Sequence, residues 1–512
     1  MKITASRFFL VLRSFCLVYI SPLDGRGKLW YFNIICNGKK GECALAIQND
    51  RLSDRGMTDQ PKKSYRRRIR AEHIFALGFL AIILCGALLL MLPIASNARV
   101  VTPFSDTLFT AVSATCVTGL VVVDTGIHWS LFGQSVILCM IQIGGLGFMS
   151  FALILLGAFG KRVSPRVRNL TAQSFGLDTG ADIRRLVRRV FVGTAVIEGC
   201  GALLLMIRTI PIFGVGRGIF AGIFLAVSAF CNAGFDPFGG AFTSSFSSLV
   251  EFDPDPLLLG VLSALIILGA AGFLVWSDLW DWMRYRKRMS VYTRFVLAVT
   301  GCLLLGGAVM IALLEWNNPA TIGEMSVPQK LLHACFQSVT PRTAGFDAIG
   351  QTEMRDASKV VSMLLMFVGG ASGSTAGGAK VSTVGVMLLA VWATLRGKRE
   401  IRVMKRAVPS DVVFRAMCIL FILLVAIFSF ATVIVMLEGV PMESALYECF
   451  SAFCTVGLSL SLTPSLGLVS KLLLIAAMYA GRVGILTLSS VLLHRDDEDD
   501  AVRYPPAKLL IG

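Results

Sequence analysis

Eight stretches of this chain stay apolar for long enough to cross a lipid bilayer, and they come in four pairs. They run near 72–94, 131–158, 187–210, 257–277, 293–314, 359–392, 412–437 and 468–493. A helix needs roughly 20 apolar residues to span the hydrocarbon core. Between the members of each pair lies a shorter apolar stretch, at 105–117, 219–232, 328–340 and 442–455. These are too short to cross and read as re-entrant segments. The pattern places the chain among all-α polytopic membrane proteins, because the strands of a β-barrel would alternate rather than run continuously apolar.

Charge sets the orientation. Only 16% of residues are charged, mean hydropathy is +0.73, and the net charge of +16 resides in short clusters flanking the apolar runs. "KKSYRRRIR" precedes the first run, "GKRVSPRVRNL" and "RRLVRR" follow the second, "RYRKR" the fourth and "RGKREIRVMKR" the sixth. The connections inside each pair carry few basic residues, mainly Arg99, Arg217, Lys330 and Arg355. Basic loops stay on the cytoplasmic side, so both termini and the loops between pairs are expected there, with the re-entrant stretches facing outside. Such charge is topology information and does not point to a nucleic-acid partner. The acidic "EFDPDP" at 251–256 falls on the outer side, where it would attract cations.

The 13 cysteines include Cys85, Cys139, Cys200, Cys302 and Cys418 inside apolar runs, where they serve as small hydrophobes, and no metal-ligand or disulfide spacing occurs. Residues 1–20 have the basic start and apolar centre of a signal peptide, but Arg13 breaks the apolar run, and residues 21–56 resemble neither a linker nor a domain. Met57 opens an ordinary cytoplasmic lead-in, "TDQPKKSYRRRIRAEH", and reads as the natural start, with 1–56 as an upstream extension. N-terminal sequencing of natively expressed protein showing residues before Met57 would overturn that reading.

The re-entrant stretches repeat. They read "AVSATCVTGL", "AVSAFCNAGF", "FQSVTPRTAGF" and "FSAFCTVGL", and their glycines, Gly119, Gly234, Gly345 and Gly457, are 115, 111 and 112 residues apart. One such glycine would only cap a helix. Four at near-equal spacing, each between two spans, indicate four parallel span–pore-loop–span repeats around a central pore, a pseudo-tetrameric, potassium-channel-like fold. Extended backbone at membrane depth is tolerated where it lines water, and loop carbonyls can replace a cation's hydration shell. The expected selectivity filter is Cys116, Val117, Thr118 and Gly119; Cys231, Asn232, Ala233 and Gly234; Arg342, Thr343, Ala344 and Gly345; and Cys454, Thr455, Val456 and Gly457. These positions hold no ring of Asp or Glu, so backbone oxygens would coordinate a monovalent cation. The repeats divide the chain into an N-terminal segment 1–70 and units 71–165, 166–285, 286–400 and 401–512.

Two further features bear on gating. "GGASGSTAGG" at 369–378 contains Gly369, Gly370, Gly373, Ser374, Thr375, Gly377 and Gly378, with Lys380 close behind. Five glycines in ten residues cannot hold a continuous helix. The segment falls in the middle of a run too long for one span, and a flexible loop beneath the filter is expected. Arg482 lies inside the last span, where a charge is costly and faces the interior or a watery path; a structural ion pair with Glu198 is the alternative. "QIGGLGFM" at 142–149 reads as a close helix-packing site.

The four loops, together with "TPRTAGF" at 340–346, "GRVGILT" at 481–487 and the terminal "RYPPAKLLIG", resemble the Trk/Ktr/HKT superfamily of potassium transporters, most of all its KtrB-type subunits, from about residue 70 onward. The resemblance implies potassium uptake across a bacterial inner membrane. It also implies an intramembrane loop at 369–378 that obstructs the pore together with Arg482, and a homodimer regulated by a cytosolic, nucleotide-binding KtrA- or TrkA-like ring. Some members couple K⁺ to Na⁺. The basic stretches 161–190 and 393–406 are candidate docking surfaces for such a ring.

The nearest alternative is a TrkH-type subunit, which carries extra spans before the first unit that 1–70 does not supply. A secondary transporter of inverted repeats would alternate in orientation, whereas every unit here starts on the cytoplasmic side. A voltage-gated channel needs an Arg-rich helix in each unit. No phosphate cradle occurs and no cluster of His, Asp or Glu lies within the spans, so enzyme chemistry is not expected.

Overall fold

The computed structural model describes residues 31–36, 43–48, 71–147, 183–239, 246, 248–250, 255–398 and 400–484. The chain divides into two units, 1–68 and 69–512. In the first, β1 (Tyr31–Cys36) pairs antiparallel with β2 (Cys43–Gln48), Tyr31 opposite Gln48 and Cys36 opposite Cys43. Both strands fall within 1–56, for which the sequence suggested no element.

The second unit is helical. Besides a single turn at Thr125–His128, its described α-helices are α1 (Ala71–Leu90), α2 (Phe104–Cys116), α3 (Leu131–Leu146), α4 (Ile183–Phe213), α5 (Val215–Cys231), α6 (Pro256–Ala271), α7 (Phe273–Tyr285), α8 (Val291–Glu315), α9 (Val327–Val339), α10 (Asp356–Phe367), α11 (Val381–Leu395), α12 (Ser410–Glu438), α13 (Met442–Cys454) and α14 (Leu468–Val483). A small hairpin joins Arg402–Val403 to Arg406–Ala407.

Among the described residues, three helices are long and apolar enough to cross a membrane: Val187–Phe213, Val291–Glu315 and Ser410–Glu438. Their apolar side chains face outward, with Leu305 and Leu313 each 72% exposed and Phe421 70%. In water such exposure would be costly; against lipid tails it is not. The short helices α2, α5, α9 and α13 have the opposite character. Phe109, Phe224, Phe336 and Tyr447 are buried to 1% or less. Helices of 13 residues, as α2, α9 and α13 are, reach only about 20 Å, too short to span and matching the re-entrant stretches in the sequence.

The helix that follows each short helix is interrupted: at 359–392 the break falls at the expected glycine-rich segment, and in the other three runs it falls where hydropathy alone suggested continuous spans. The run 131–158 is helical only to Leu146, then Gly147 takes φ +82, and its remainder lies outside the described residues. The run 257–277 breaks at Gly272, φ +90, where α6 and α7 bend by 99°. The run 359–392 becomes α10, a loop and α11, and the run 468–493 is helical to Val483, with Gly484 at φ +94. A positive φ is cheap for glycine alone, so these glycines end helices that their apolar neighbours would have continued.

Each of these broken helices lies against the short helix of the next repeat. Gly145 of α3 sits on Cys231 of α5, and α6 packs along α9. Lys359 of α10 pairs with Glu443 of α13 at 3.4 Å, and Lys471 of α14 pairs with Asp106 of α2 at 3.3 Å.

Candidate functional site

The four short helices end in the same way. Val117, Asn232 and Thr455 cap α2, α5 and α13 in the left-handed region, with φ of 59°, 60° and 51°. Thr343, three residues after the cap of α9, adopts φ 69°. For β-branched residues this conformation costs of order 1–3 kcal/mol and persists only when the surroundings over-determine it. The amides that follow are spent on their own helices. Thr118, Ala233 and Val456 N–H donate to Ser113, Ser228 and Ser451 carbonyls, each at 2.8 Å, and Ala344 N–H donates to Thr340 O at 2.9 Å. Gly119 and Gly457 N–H donate to the Ser113 and Ser451 hydroxyls at 3.1 and 3.0 Å.

Two residues past each left-handed residue comes the glycine, with φ of 93° at Gly119, 69° at Gly234, 77° at Gly345 and 100° at Gly457. The four converge. A Cβ added at Gly119 would lie 2.5 Å from Ala233 O, and one at Gly234 would lie 2.7 Å from Ala344 O. At Gly345 it would strike Val456 O, and at Gly457 it would strike Thr118 O. Each glycine thus abuts the carbonyl just ahead of the next loop's glycine, and the succession closes on itself in chain order. Among the described residues, Thr118, Ala233, Ala344 and Val456 carbonyls accept no hydrogen bond. The Thr118 and Thr455 hydroxyls are buried without a partner.

Beneath this ring lies the loop between α10 and α11. Gly369 N–H donates to Ala379 O at 2.9 Å and Val381 N–H to Gly370 O at 3.0 Å, which pinches its ends together. Its body docks on the break after α6: Ala371 N–H reaches Ala270 O at 2.9 Å, and Phe273 N–H reaches Gly373 O at 2.9 Å. Its tip touches the undersides of the other loops. Thr375 Oγ1 donates to Phe230 O at 3.2 Å, and Gly377 and Gly378 lie against Thr455 and Cys454. Ser374 turns inward, its hydroxyl donating to Ala371 O at 2.6 Å.

Three cations surround the loop, each held by carbonyls. Arg482 donates to Thr375 O, and to Gly144 O at 2.5 Å. Lys380 Nζ donates to Ala376 O at 2.7 Å, and Arg342 Nη2 to Gly369 O at 3.2 Å. Arg482 forms no pair with Glu198. Glu198 instead accepts from Gln142 Nε2 at 3.1 Å and lies 3.9 Å from the Cys231 thiol. The "QIGGLGFM" motif does pack closely, with Gly144 against Thr115 O and Gly145 against Cys231, and in addition it ends a helix at Gly147.

The structure therefore brings together Val117–Gly119, Asn232–Gly234, Thr343–Gly345 and Thr455–Gly457, and sets 369–380 and Arg482 directly below. Cys116, Cys231 and Cys454 face backward into the core and are fully buried, and Arg342 points down to the loop rather than into the ring. "EFDPDP" falls mostly outside the described residues, as does most of 161–190.

An outer feature was overlooked in the sequence. Asp236 and Asp347 each follow a ring glycine by two residues, within a twice-repeated "GFD" that could have signalled them. Burial pushes Asp236 up to about 6 and Asp347 up to about 7. Asp347 accepts from Gln351 Nε2 at 2.7 Å, and Gln351 Oε1 in turn accepts from Tyr447 at 2.7 Å, tying the mouth of the third loop to α13. Glu448 braces the fourth loop, accepting from Leu460 N–H at 3.2 Å and Thr463 Oγ1 at 2.7 Å.

A bundle of lipid-facing helices around four converging loops, with unspent carbonyls and no acidic ring, defines a membrane protein for moving cations. The chain belongs to the TrkH family of cation transport proteins, whose signature matches residues 67–501. It is 38% identical to the potassium/sodium uptake protein NtpJ of Enterococcus hirae over 456 residues, covering 88% of this chain and 99% of the relative. It is 39% identical to the Ktr system potassium uptake protein B of Bacillus subtilis over 451 residues, covering 87% and 97%. The fold matches the crystal structure of the potassium transporter TrkH from Vibrio parahaemolyticus with a TM-score of 0.64 at 18% identity, over 85% of this chain and 87% of that one.

Proposed function

We propose that this protein takes up potassium across the bacterial inner membrane through a pseudo-fourfold backbone filter. The observation that carries the reading is the closed succession of glycines and carbonyls. Four loops of one chain set the Thr118, Ala233, Ala344 and Val456 oxygens each against a neighbouring loop's glycine, with no room there for a side chain. Carbonyl oxygens suit a weakly hydrated monovalent cation, and their dipoles replace its water shell. The names of its relatives, two of them potassium uptake proteins at 38% identity or more, support K⁺ as the cargo. NtpJ adds sodium to its description, so Na⁺ is the natural second ion to test.

The 369–380 loop acts as the gate. It occupies the space immediately under the filter, and the three cations around it, Arg342 buried and Lys380 and Arg482 partly buried, raise the electrostatic cost of a passing K⁺. Loop and Arg482 must shift together for conduction. The opening signal comes from a cytosolic nucleotide-binding partner acting on a dimer of these subunits, with both termini in the cytoplasm.

Complementation tests this directly. A bacterium lacking K⁺ uptake should regain growth at low K⁺ when it expresses this chain with a candidate nucleotide-binding partner, and Na⁺ should be added and withheld. Growth that stays absent in every combination, with the protein present in the membrane, would refute potassium uptake.

A further inference from the structure

Asn232 occupies the left-handed position that Val117, Thr343 and Thr455 fill in the other loops, and among these four it alone carries an amide. Asn tolerates that backbone conformation well, which would account for its presence without further purpose. Its side chain is nonetheless engaged on both ends. Oδ1 accepts from the Thr375 hydroxyl of the intramembrane loop at 3.2 Å. Nδ2 donates to Arg342 O and Thr343 Oγ1 of the third loop, both at 3.4 Å. The Thr375 hydroxyl is shared with Phe230 O, at the foot of the second loop, also at 3.2 Å.

The room for this contact is provided by a glycine. A Cβ at Gly269 would come within 2.7 Å of Asn232 Oδ1 and 2.9 Å of Thr375 Oγ1. Asn232, Thr343 and Thr375 are all completely buried, so none can exchange its partner for bulk water. A buried polar group that loses its partner pays the full desolvation penalty. The loop therefore cannot withdraw without orphaning the Asn232 side-chain oxygen Oδ1, and Asn232 cannot re-aim to recover a partner without disturbing its bonds to the third loop.

We propose that Asn232 is a latch that holds the loop closed and transmits its position to the third filter loop. This positioning role rests on the filter-and-gate reading above. It predicts that the loop and filter respond as one unit to either end of the contact. Thr375→Val keeps the side-chain shape and removes the donor. Asn232→Gly keeps the left-handed backbone and removes the amide, so a fold requirement for Asn alone would be met by it.

The test is a double-mutant cycle on K⁺ influx without the activating partner, in proteoliposomes with protein quantified in each. Each single variant should raise influx about tenfold, the equivalent of about 1.4 kcal/mol. The double variant should be no faster than either single. Asn232→Gly should also narrow the K⁺-over-Na⁺ preference, a change that a purely structural role would not produce. Factors that multiply to about a hundredfold, or influx unchanged or reduced in both singles, would overturn the latch. If those results came alongside an Arg482→Ala variant that does open the path, the filter-and-gate reading would stand without it. If neither the wild-type protein with its activating partner nor Arg482→Ala carried K⁺, that reading would fall first.

Discussion

Substituting Gly119 by Ala tests the ring where the first loop meets the second. The new Cβ would sit 2.5 Å from Ala233 O and 3.2 Å from Gly234 Cα, both backbone atoms of the neighbouring loop. Real Cβ atoms essentially never approach a neighbour closer than 3.0 Å, so the carbonyl must move. The backbone adds strain, since φ is +93° at this position and such a conformation costs a non-glycine residue about 1–3 kcal/mol. A loss of about 2 kcal/mol in K⁺ binding corresponds to roughly a thirtyfold rise in KM. The assay is Rb⁺ or K⁺ uptake in a complemented strain, with membrane abundance measured alongside. Gly439→Ala is the control: it shares the positive φ, +68°, but has nothing within 4 Å of its added Cβ, so it pays the strain and touches no filter loop. Gly119→Ala at normal abundance with unchanged KM and unchanged ion preference would refute the ring as the selectivity element.

Arg482→Ala removes a charged hydrogen bond to the intramembrane loop at Thr375 O; hydrogen bonds to charged groups contribute about 1.5–3 kcal/mol each, so K⁺ flux should rise at least tenfold. Unchanged or lower uptake at equal abundance would count against the gate. External pH should matter because Asp236 and Asp347, raised to about 6 and about 7, lie just outside the ring. Both are ionised and cation-attracting above those values, so the KM for K⁺ should climb as external pH drops from 8 to 5.5, and Asp347→Asn should flatten the upper part of that curve. A KM indifferent to external pH would remove them from the entry path. Glu448→Ala strips two side-chain partners and one backbone partner from the fourth loop; it should lower the thermal midpoint and weaken K⁺-over-Na⁺ preference, whereas a variant as selective as wild type would make the brace dispensable.

Much of this arrangement can be read from the residues alone, because a fourfold recurrence of short apolar segment and glycine is a pattern of spacing. The short helices fall within a few residues of the expected stretches. Hydropathy fails at the helices that follow. Gly147, Gly272 and Gly484 are as compatible with an apolar window as leucine, yet each turns the backbone out of the helical region. A Gly-x-x-Gly spacing recurs at Gly144 and Gly147, Gly269 and Gly272, and Gly481 and Gly484, and it would have flagged the breaks. The partner of Arg482 was equally hidden. Sequence offers a carboxylate as the natural match for a buried cation, and Glu198 is the nearest candidate by residue type. The fold supplies carbonyls freed by those helix breaks instead, Gly144 O among them. The outer aspartates were visible in "GFD" but carry no weight until the loops are seen to meet.

That the loops come from one polypeptide has a mechanical result. A homotetramer must repeat any insertion four times, and four copies of a segment as long as 368–380 would collide on the axis. On the proposed reading, one repeat supplies the obstruction, a different one the amide bonded to it, and a third the guanidinium. Such a barrier can be released from one side, as a door is, and need not dilate like an iris.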